Sequence, residues 1–244
     1  MQTIITKNQA EMSAKAAELI IEQVKAKPDS VLALPTGKTP QLVYAKLVEA
    51  FQQGRVSFAG VKTFNLDEYV GMCRTCADSF YVYMKQHLYD HVDIRPENIF
   101  LLDGAASNLD DECANYERDI KEVGGVDLAI LGIGRDGHIG FCEPGMSFDS
   151  RTIVVNLDES TRQANADDLV ELKEVPAQAI TMGLATIFKS RQIILLASGE
   201  HKAAIVAKAL EGEVSEQVPA SILQTHPQTT VILDEAAASQ LKAS

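Results

Sequence analysis

The stretch VLALPTGKTPQ, Val31 to Gln41, sets the fold. An apolar run of strand character meets a Pro-Thr-Gly turn, and Leu42, Val43, Leu47, Ala50 and Phe51 then fall near helical spacing. The reading is strand, turn, helix, with Thr39 as N-cap and Pro40 at the first helical position. A helix start offers unpaired N–H groups and a positive dipole end to an anion. The nucleotide-binding P-loop, G-x-x-x-x-G-K-[ST], does not fit, because its first glycine would fall on Leu32 and Pro40 removes a backbone N–H. Thr36, Gly37, Lys38 and Thr39 are therefore either a phosphate site of another kind or an empty turn.

The same alternation runs outward from this stretch. VKTFNL precedes DSFYVYMKQHLYDHV; NIFLL precedes LDDECANYERDIKEV; VDLAILGIG leads into a loop. RTIVVNL precedes PAQAITMGLATIF, read as helical; RQIILLASG precedes EHKAAIVAKALEG; TTVILD precedes EAAASQLKA. Several strands are nearly all apolar, as expected when both faces of a sheet are covered. The expectation is an α/β fold: a single domain over residues 1–244, with a largely parallel, doubly wound sheet flanked by helices. Ligands in such folds bind beyond the carboxyl ends of the strands. That directs attention to LPTGKTP, NLDEY, GIGRDGHIGFCEPG and ASGEHK.

Composition narrows the partners. The chain of 244 residues is 46% hydrophobic, enough for one substantial core. A net charge of −12 and the lack of a Lys/Arg-rich run argue against nucleic acid. The N-terminus lacks the basic-then-apolar pattern of a signal peptide, and no apolar run reaches membrane-helix length, so the sequence reads as cytoplasmic with no membrane partner. Among the four cysteines, Cys73 and Cys76 form one C-x-x-C with neither a second pair nor histidines at zinc-ligand spacing, and no strand directly precedes it as in thioredoxin-like motifs. Cys113 sits in a helical pattern with Tyr116, Ile120 and Val123.

The strand ends carry the chemistry. In NLDEY, Asp67 and Glu68 follow a strand end, so that one carboxylate can enter a cleft while its neighbour points elsewhere. LGIGRDGHIGFCEPG contains Gly132-x-Gly134-x-x-Gly137, but its turn residues are too dense to begin a dinucleotide-binding helix. A loop holding Asp136, His138 and Glu143 is the better reading, since a histidine flanked by carboxylates is fixed in one tautomer and tuned towards proton transfer near neutral pH. Lys38 and Lys202 both lie at helix beginnings, where a cation opposes the dipole unless an anion binds there; together they suggest a sugar-phosphate clamp.

LPTGKTP, FNLDEYVG, LGIGRDGHIGFCEPG, Ser150-Arg-Thr, TRQAN (Thr161–Asn165), ITMG (Ile180–Gly183) and PAS (Pro219–Ser221) together resemble the glucosamine-6-phosphate deaminase family, in the family's order and across nearly the whole chain. The resemblance implies a deaminase/ribose-phosphate isomerase-like fold. It also implies an amino sugar phosphate substrate, aldose–ketose isomerisation with loss of ammonia to give fructose 6-phosphate, and no metal or organic cofactor. It makes Asp67 the base that moves a proton from C2 to C1 and His138 the group that moves protons in ring opening. Asp136 and Glu143 would orient His138, and the Thr36–Thr39 turn with Lys202 would hold the phosphate. Three positions depart from the family: Cys142 for a usual asparagine, Lys38 for a common small residue, and Asp167 for a phosphate-binding arginine. A related substrate such as galactosamine 6-phosphate, or a silent sugar-phosphate sensor, stays open, as does the choice between monomer and homo-oligomer.

Overall fold

The computed structural model describes residues 1–166 and 169–242. Its seven-stranded sheet is parallel throughout, in the order β1-β10-β9-β6-β2-β3-β5. The strands are β1 (Gln2–Thr6), β2 (Val31–Leu34), β3 (Lys62–Asn65), β5 (Ile99–Phe100), β6 (Leu128–Gly132), β9 (Gln192–Ala197) and β10 (Thr229–Asp234). From β2 the chain builds outward through β3 to β5. It then returns to place β6 on the other side of β2 and builds the opposite way through β9 to β10. The carboxyl ends of β2 and β6 therefore flank a topological switch point, where successive loops part in opposite directions.

The apolar runs belong to strands buried on both faces. Ala33, Ala129, Leu131, Ile193 and Leu195 join one hydrophobic cluster, while Leu32, Leu34, Leu128, Ile130, Ile194 and Leu196 join the other. This is the two-residue period of a pleated strand with a layer packed on each side. Helices α1 (Gln9–Ala26), α2 (Lys38–Gln52) and α3 (Phe80–His87) cover one face. Helices α4 (Leu109–Glu122), α7 (Ala203–Glu211) and α8 (Glu235–Ala238) cover the other. In α2 the buried positions are Pro40, Val43, Tyr44, Leu47 and Ala50; Val43, Leu47 and Ala50 match the spacing read from the sequence, whereas Leu42 is exposed and Phe51 half-buried.

Three expectations change. The N-cap of α2 is Gly37, not Thr39; its φ of 93° lies where side chains are strained. Thr39 and Pro40 fall inside the first turn, where the missing proline N–H still has no intrahelical partner to lose. Second, PAQAITMGLATIF is not one helix but strand β8 (Gln178–Thr181) followed by the short α6 (Leu184–Phe188). Third, RTIVVNL forms β7 (Ile153–Asn156) outside the parallel sheet. It joins β8 and β4 (Asp67–Tyr69) in a three-stranded antiparallel sheet ordered β4-β8-β7. Asp67 and Glu68 are thus strand residues, not a solvated turn. No helix among the described residues is long and apolar enough to cross a membrane.

Ile130, at 1% exposure in the middle of β6, tests the double burial. Ile130→Ala should lower the unfolding free energy by about 2–5 kcal/mol, read from the denaturant midpoint with an unchanged slope.

Candidate active site

Three chain segments converge at the switch point. After β2, the Pro35–Gly37 turn delivers α2; the hydroxyl of Tyr44 donates to Pro35 O at 2.5 Å and that of Tyr83 to Gly37 O at 2.6 Å, fixing the turn from two helices. Thr36 and Thr39 are half-buried here, whereas Lys38 is exposed. After β3, Leu66 bridges the two sheets: its N–H donates to Leu34 O at 3.2 Å and its carbonyl accepts from Met182 N at 2.7 Å. After β6 comes the glycine-rich loop.

Asp67 and Glu68 point opposite ways from β4. Glu68 faces the base of α3, where its carboxylate accepts from Tyr69 N at 2.8 Å and Phe80 N at 2.9 Å. Burial, opposed by those two bonds, pushes its pKa up to about 8. Asp67 faces the loop. A Cβ added to Gly140 would lie 3.2 Å from Thr181 Oγ1 and 3.5 Å from Asp67 Oδ2, so this glycine, at φ 57°, lets the loop backbone approach the carboxylate. Asp67 is 7% exposed. Burial raises its pKa to about 7, with His138 pulling in the other direction. A carboxylate balanced between its charged and neutral forms near neutrality can take a proton and return it.

The loop is shaped around His138. A Cβ on Gly134 would sit 2.2 Å from His138 Cε1, so only glycine leaves room for the ring. Gly134 N donates to His138 O at 2.9 Å and His138 N to Asp136 Oδ1 at 3.1 Å. The ring Nδ1 lies 2.8 Å from Asp136 Oδ1 and 3.5 Å from Glu143 Oε2. Burial alone would lower the histidine pKa, but the two carboxylates outweigh it and raise it to about 9. The sequence reading had His138 near neutrality; the structure makes it an imidazolium at pH 7. Burial likewise resists ionisation of Asp136, yet the His138 ring 2.8 Å away holds its carboxyl well below the usual range. Both Glu143 oxygens, and His138 Nδ1 itself, are buried without a hydrogen bond of good geometry among the described residues, so the ring is held by charge proximity to the two carboxylates. Asp136, His138 and Glu143 offer ligand atoms within 4.8 Å of one another, a set that a cation could use in competition with the proton on His138.

Lys202 reaches the same loop from the 3₁₀ turn Glu200–Lys202 that precedes α7, its Nζ donating to Ile133 O at 2.7 Å. Burial, then the charge of Arg135, lowers its pKa. Arg135, exposed in the loop, also lowers the pKa of His201 after burial and Lys202. These cations gather at the ends of β6 and β9. Arg135 and Thr181 were not among the residues picked from the sequence. Arg135 lies inside the glycine-rich motif and its charge was the available signal; Thr181, whose hydroxyl accepts from Phe141 N at 3.2 Å, lies in the ITMG stretch, which was noted but not singled out as a site. Asp167 lies outside the described residues. Cys142 is buried, with its thiol donating to Met182 O at 3.2 Å, and burial pushes its pKa up.

Residues 7–232 match the family described as glucosamine-6-phosphate isomerases/6-phosphogluconolactonase. The chain belongs to this family. It is 52% identical over 239 residues to a glucosamine-6-phosphate deaminase of Geobacillus sp. (strain WCH70), covering 98% of this chain and 95% of that one. It is 48% identical over 242 residues to one from Clostridium botulinum (strain Langeland / NCTC 10281 / Type F), covering 99% of each. Among solved structures, a monomeric glucosamine-6-phosphate deaminase superposes with a TM-score of 0.96 at 44% identity, over 98% of this chain and all of that one. A 6-phosphogluconolactonase from Trypanosoma cruzi, at 23% identity and a TM-score of 0.80 over 99% and 97% of the two chains, shares the fold.

Two titrations follow. Carboxyl NMR should place Asp67 near pH 7, and His138→Gln should move that midpoint upward, because it removes the cation that opposes burial. The His138 ion pairs, with a folded pKa of about 9 against 6.5, contribute stability that is full below about 6.5 and is lost as pH rises through 9. His138→Gln should abolish that part of the decline in denaturant midpoint.

Proposed function

We propose that this protein is a glucosamine-6-phosphate deaminase, converting glucosamine 6-phosphate and water to fructose 6-phosphate and ammonia. The observation that carries the reading is the buried Asp67 carboxylate, with its pKa near 7, facing a loop in which an imidazolium is pinned between two carboxylates. Asp136 holds Nδ1, which leaves Nε2 of His138 for the sugar. As the C1–O5 bond of the pyranose breaks, His138 gives a proton to the ring oxygen and accepts the one from the anomeric hydroxyl. Asp67 then removes the C2 proton and returns it to C1, while the aldehyde oxygen takes up a proton and the amine nitrogen gives one up, converting the amino aldose to a C2 imine. Water adds to that imine, and ammonia leaves. The unpartnered oxygens of Glu143 supply acceptors for sugar hydroxyls while holding the charge on His138.

The phosphate sits, in this reading, between the Thr36–Thr39 turn and the cations Lys202 and Arg135. The start of α2 provides N–H groups and a positive dipole end. Lys38 contributes at the same turn, in a geometry looser than a bidentate arginine would give. The residues described above work as a single domain over 1–244. In this reading the protein is a monomer, as the 44% identical relative is. We place the reaction in the cytoplasm, since a sugar phosphate dianion does not cross a membrane unaided.

An ammonia-coupled assay over glucosamine 6-phosphate and galactosamine 6-phosphate tests the reading. Turnover of the first is expected; no ammonia from either would leave a silent binder. Asp67→Asn should reduce kcat by at least about 10²-fold with binding retained, the scale of a lost general base. Arg135→Ala and Lys202→Ala should each raise KM about tenfold, the scale of one charged hydrogen bond, with no such effect on a substrate lacking phosphate.

A further inference from the structure

Cys73 and Cys76, which the deaminase reading leaves unused, are joined as a disulfide with Cα atoms 5.3 Å apart. The pair closes a loop of only four residues, the kind of link that stabilises a fold least through chain entropy. Both residues are half-buried, in contrast to the buried free thiols of Cys113 and Cys142. The Thr75 hydroxyl lies 3.6 Å from Cys73 Sγ on an exposed turn, where a small thiol can reach the bond. In a reducing compartment, an accessible disulfide of this type is characteristic of redox sensing.

The loop that carries the disulfide starts beside the candidate site. It follows β4, which bears Asp67, and it ends at Ser79, the N-cap of α3, whose side chain accepts from Val82 N at 3.1 Å and donates to Arg74 O at 3.1 Å. Cys76 N donates to Cys73 O and Ser79 N to Cys76 O, both at 3.0 Å. Asp78 stands between these anchors. Its carboxylate accepts from the backbone N–H of Val170, of Glu171 at 3.0 Å and of Leu172 at 2.8 Å. The segment so held is otherwise exposed: Val170 is 75% exposed and Leu172 41%. Its flanking residues Leu169 and Val175 pack in the cluster of Tyr69, Met72 and Phe141, to which Cys76 also contributes. Phe141 belongs to the His138 loop, and Tyr69 accepts from Asn165 at the end of α5 (Glu159–Asn165) at 3.3 Å.

We propose that Cys73 and Cys76 form a reversible redox-modification site whose state sets how firmly Asp78 clasps residues 170–172 beside the candidate active site. Reduction is thiol–disulfide exchange. A thiolate of a dithiol attacks one sulfur and the S–S bond breaks, giving a mixed disulfide. The second thiol of the reductant then displaces the remaining cysteine, so two electrons and two protons pass to Cys73 and Cys76 while the reductant becomes a disulfide. A small disulfide drives the reverse. Reduction removes the covalent anchor on the amino-terminal side of Asp78 and leaves the hydrogen bonds around Cys76 and Ser79 to hold the turn.

The test uses the full-length protein oxidised with glutathione disulfide, then treated with dithiothreitol under native conditions. Alkylation and mass analysis should label Cys73 and Cys76 only after dithiol, with Cys113 and Cys142 unlabelled throughout. Amide hydrogen exchange at 170–172 should quicken at least about tenfold on reduction. The double variant Cys73→Ser/Cys76→Ser should show the fast exchange whether or not dithiol is present. Asp78→Asn should show it in both redox states while its cysteines still cycle. Equal protection of 170–172 in the oxidised and reduced wild type overturns the proposal, as does a pair that glutathione disulfide fails to oxidise. None of these readouts needs turnover, so they succeed or fail independently of the deaminase assignment.

Discussion

The parallel pairing of β2 with β6 at the middle of the sheet is the constraint on which the site depends. Chain growth reverses direction across that pair, so the loops leaving Leu34 and Gly132 part in opposite directions, the place where open α/β sheets form their ligand cleft. The pairing is secured at the far end of the sheet by Asp127. Its carboxylate, 5% exposed, accepts from Val31 N at 2.8 Å, Lys27 Nζ at 2.6 Å and Arg191 at 2.8 Å. One acidic side chain thus ties the beginnings of β2, β6 and β9 together. A buried charge is tolerated there because two cations and a backbone donor surround it. The register fixed at that end decides which residues emerge at the other.

Over this cleft lies the small antiparallel sheet, and it gives two adjacent carboxylates different surroundings. The alternation of side chains along β4 sends Glu68 to two backbone donors at the start of α3 and Asp67 to the glycine-rich loop. Burial raises the pKa of both, but only Asp67 has an imidazolium as its opposing influence. His138 in turn is charged because Asp136 and Glu143 outweigh its own burial. Asp67, Asp136 and His138 therefore titrate as neighbours whose charges act on one another.

Glycines make the coupling geometrically possible. Gly134 leaves space for the imidazole ring, and Gly140 brings backbone against Asp67 and Thr181. Lys202 then closes the loop from the opposite side through Ile133 O. The cation proposed to bind phosphate is therefore also the one that holds the loop in place.

The sequence by itself determined the alternation of strands and helices, the parallel sheet, and the segments at its carboxyl ends, because double burial writes an unbroken apolar run and a helix face writes its own spacing. It also showed Asp136, His138 and Glu143 as a group, since they are close along the chain. Only the tertiary structure decided what depends on distant contacts. β7 and β8 read like members of the main sheet, or like a helix, until their pairing with β4 placed them over the cleft. The N-cap of α2 fell to Gly37 because two tyrosines, one from α2 and one from α3, fix that turn. The pKa of Asp67, the charge on His138, the gathering of Arg135 with Lys202, and the clasp between Asp78 and residues 170–172 all arise between segments far apart in sequence. Burial and Coulomb interaction depend on separation in space, which local periodicity does not encode.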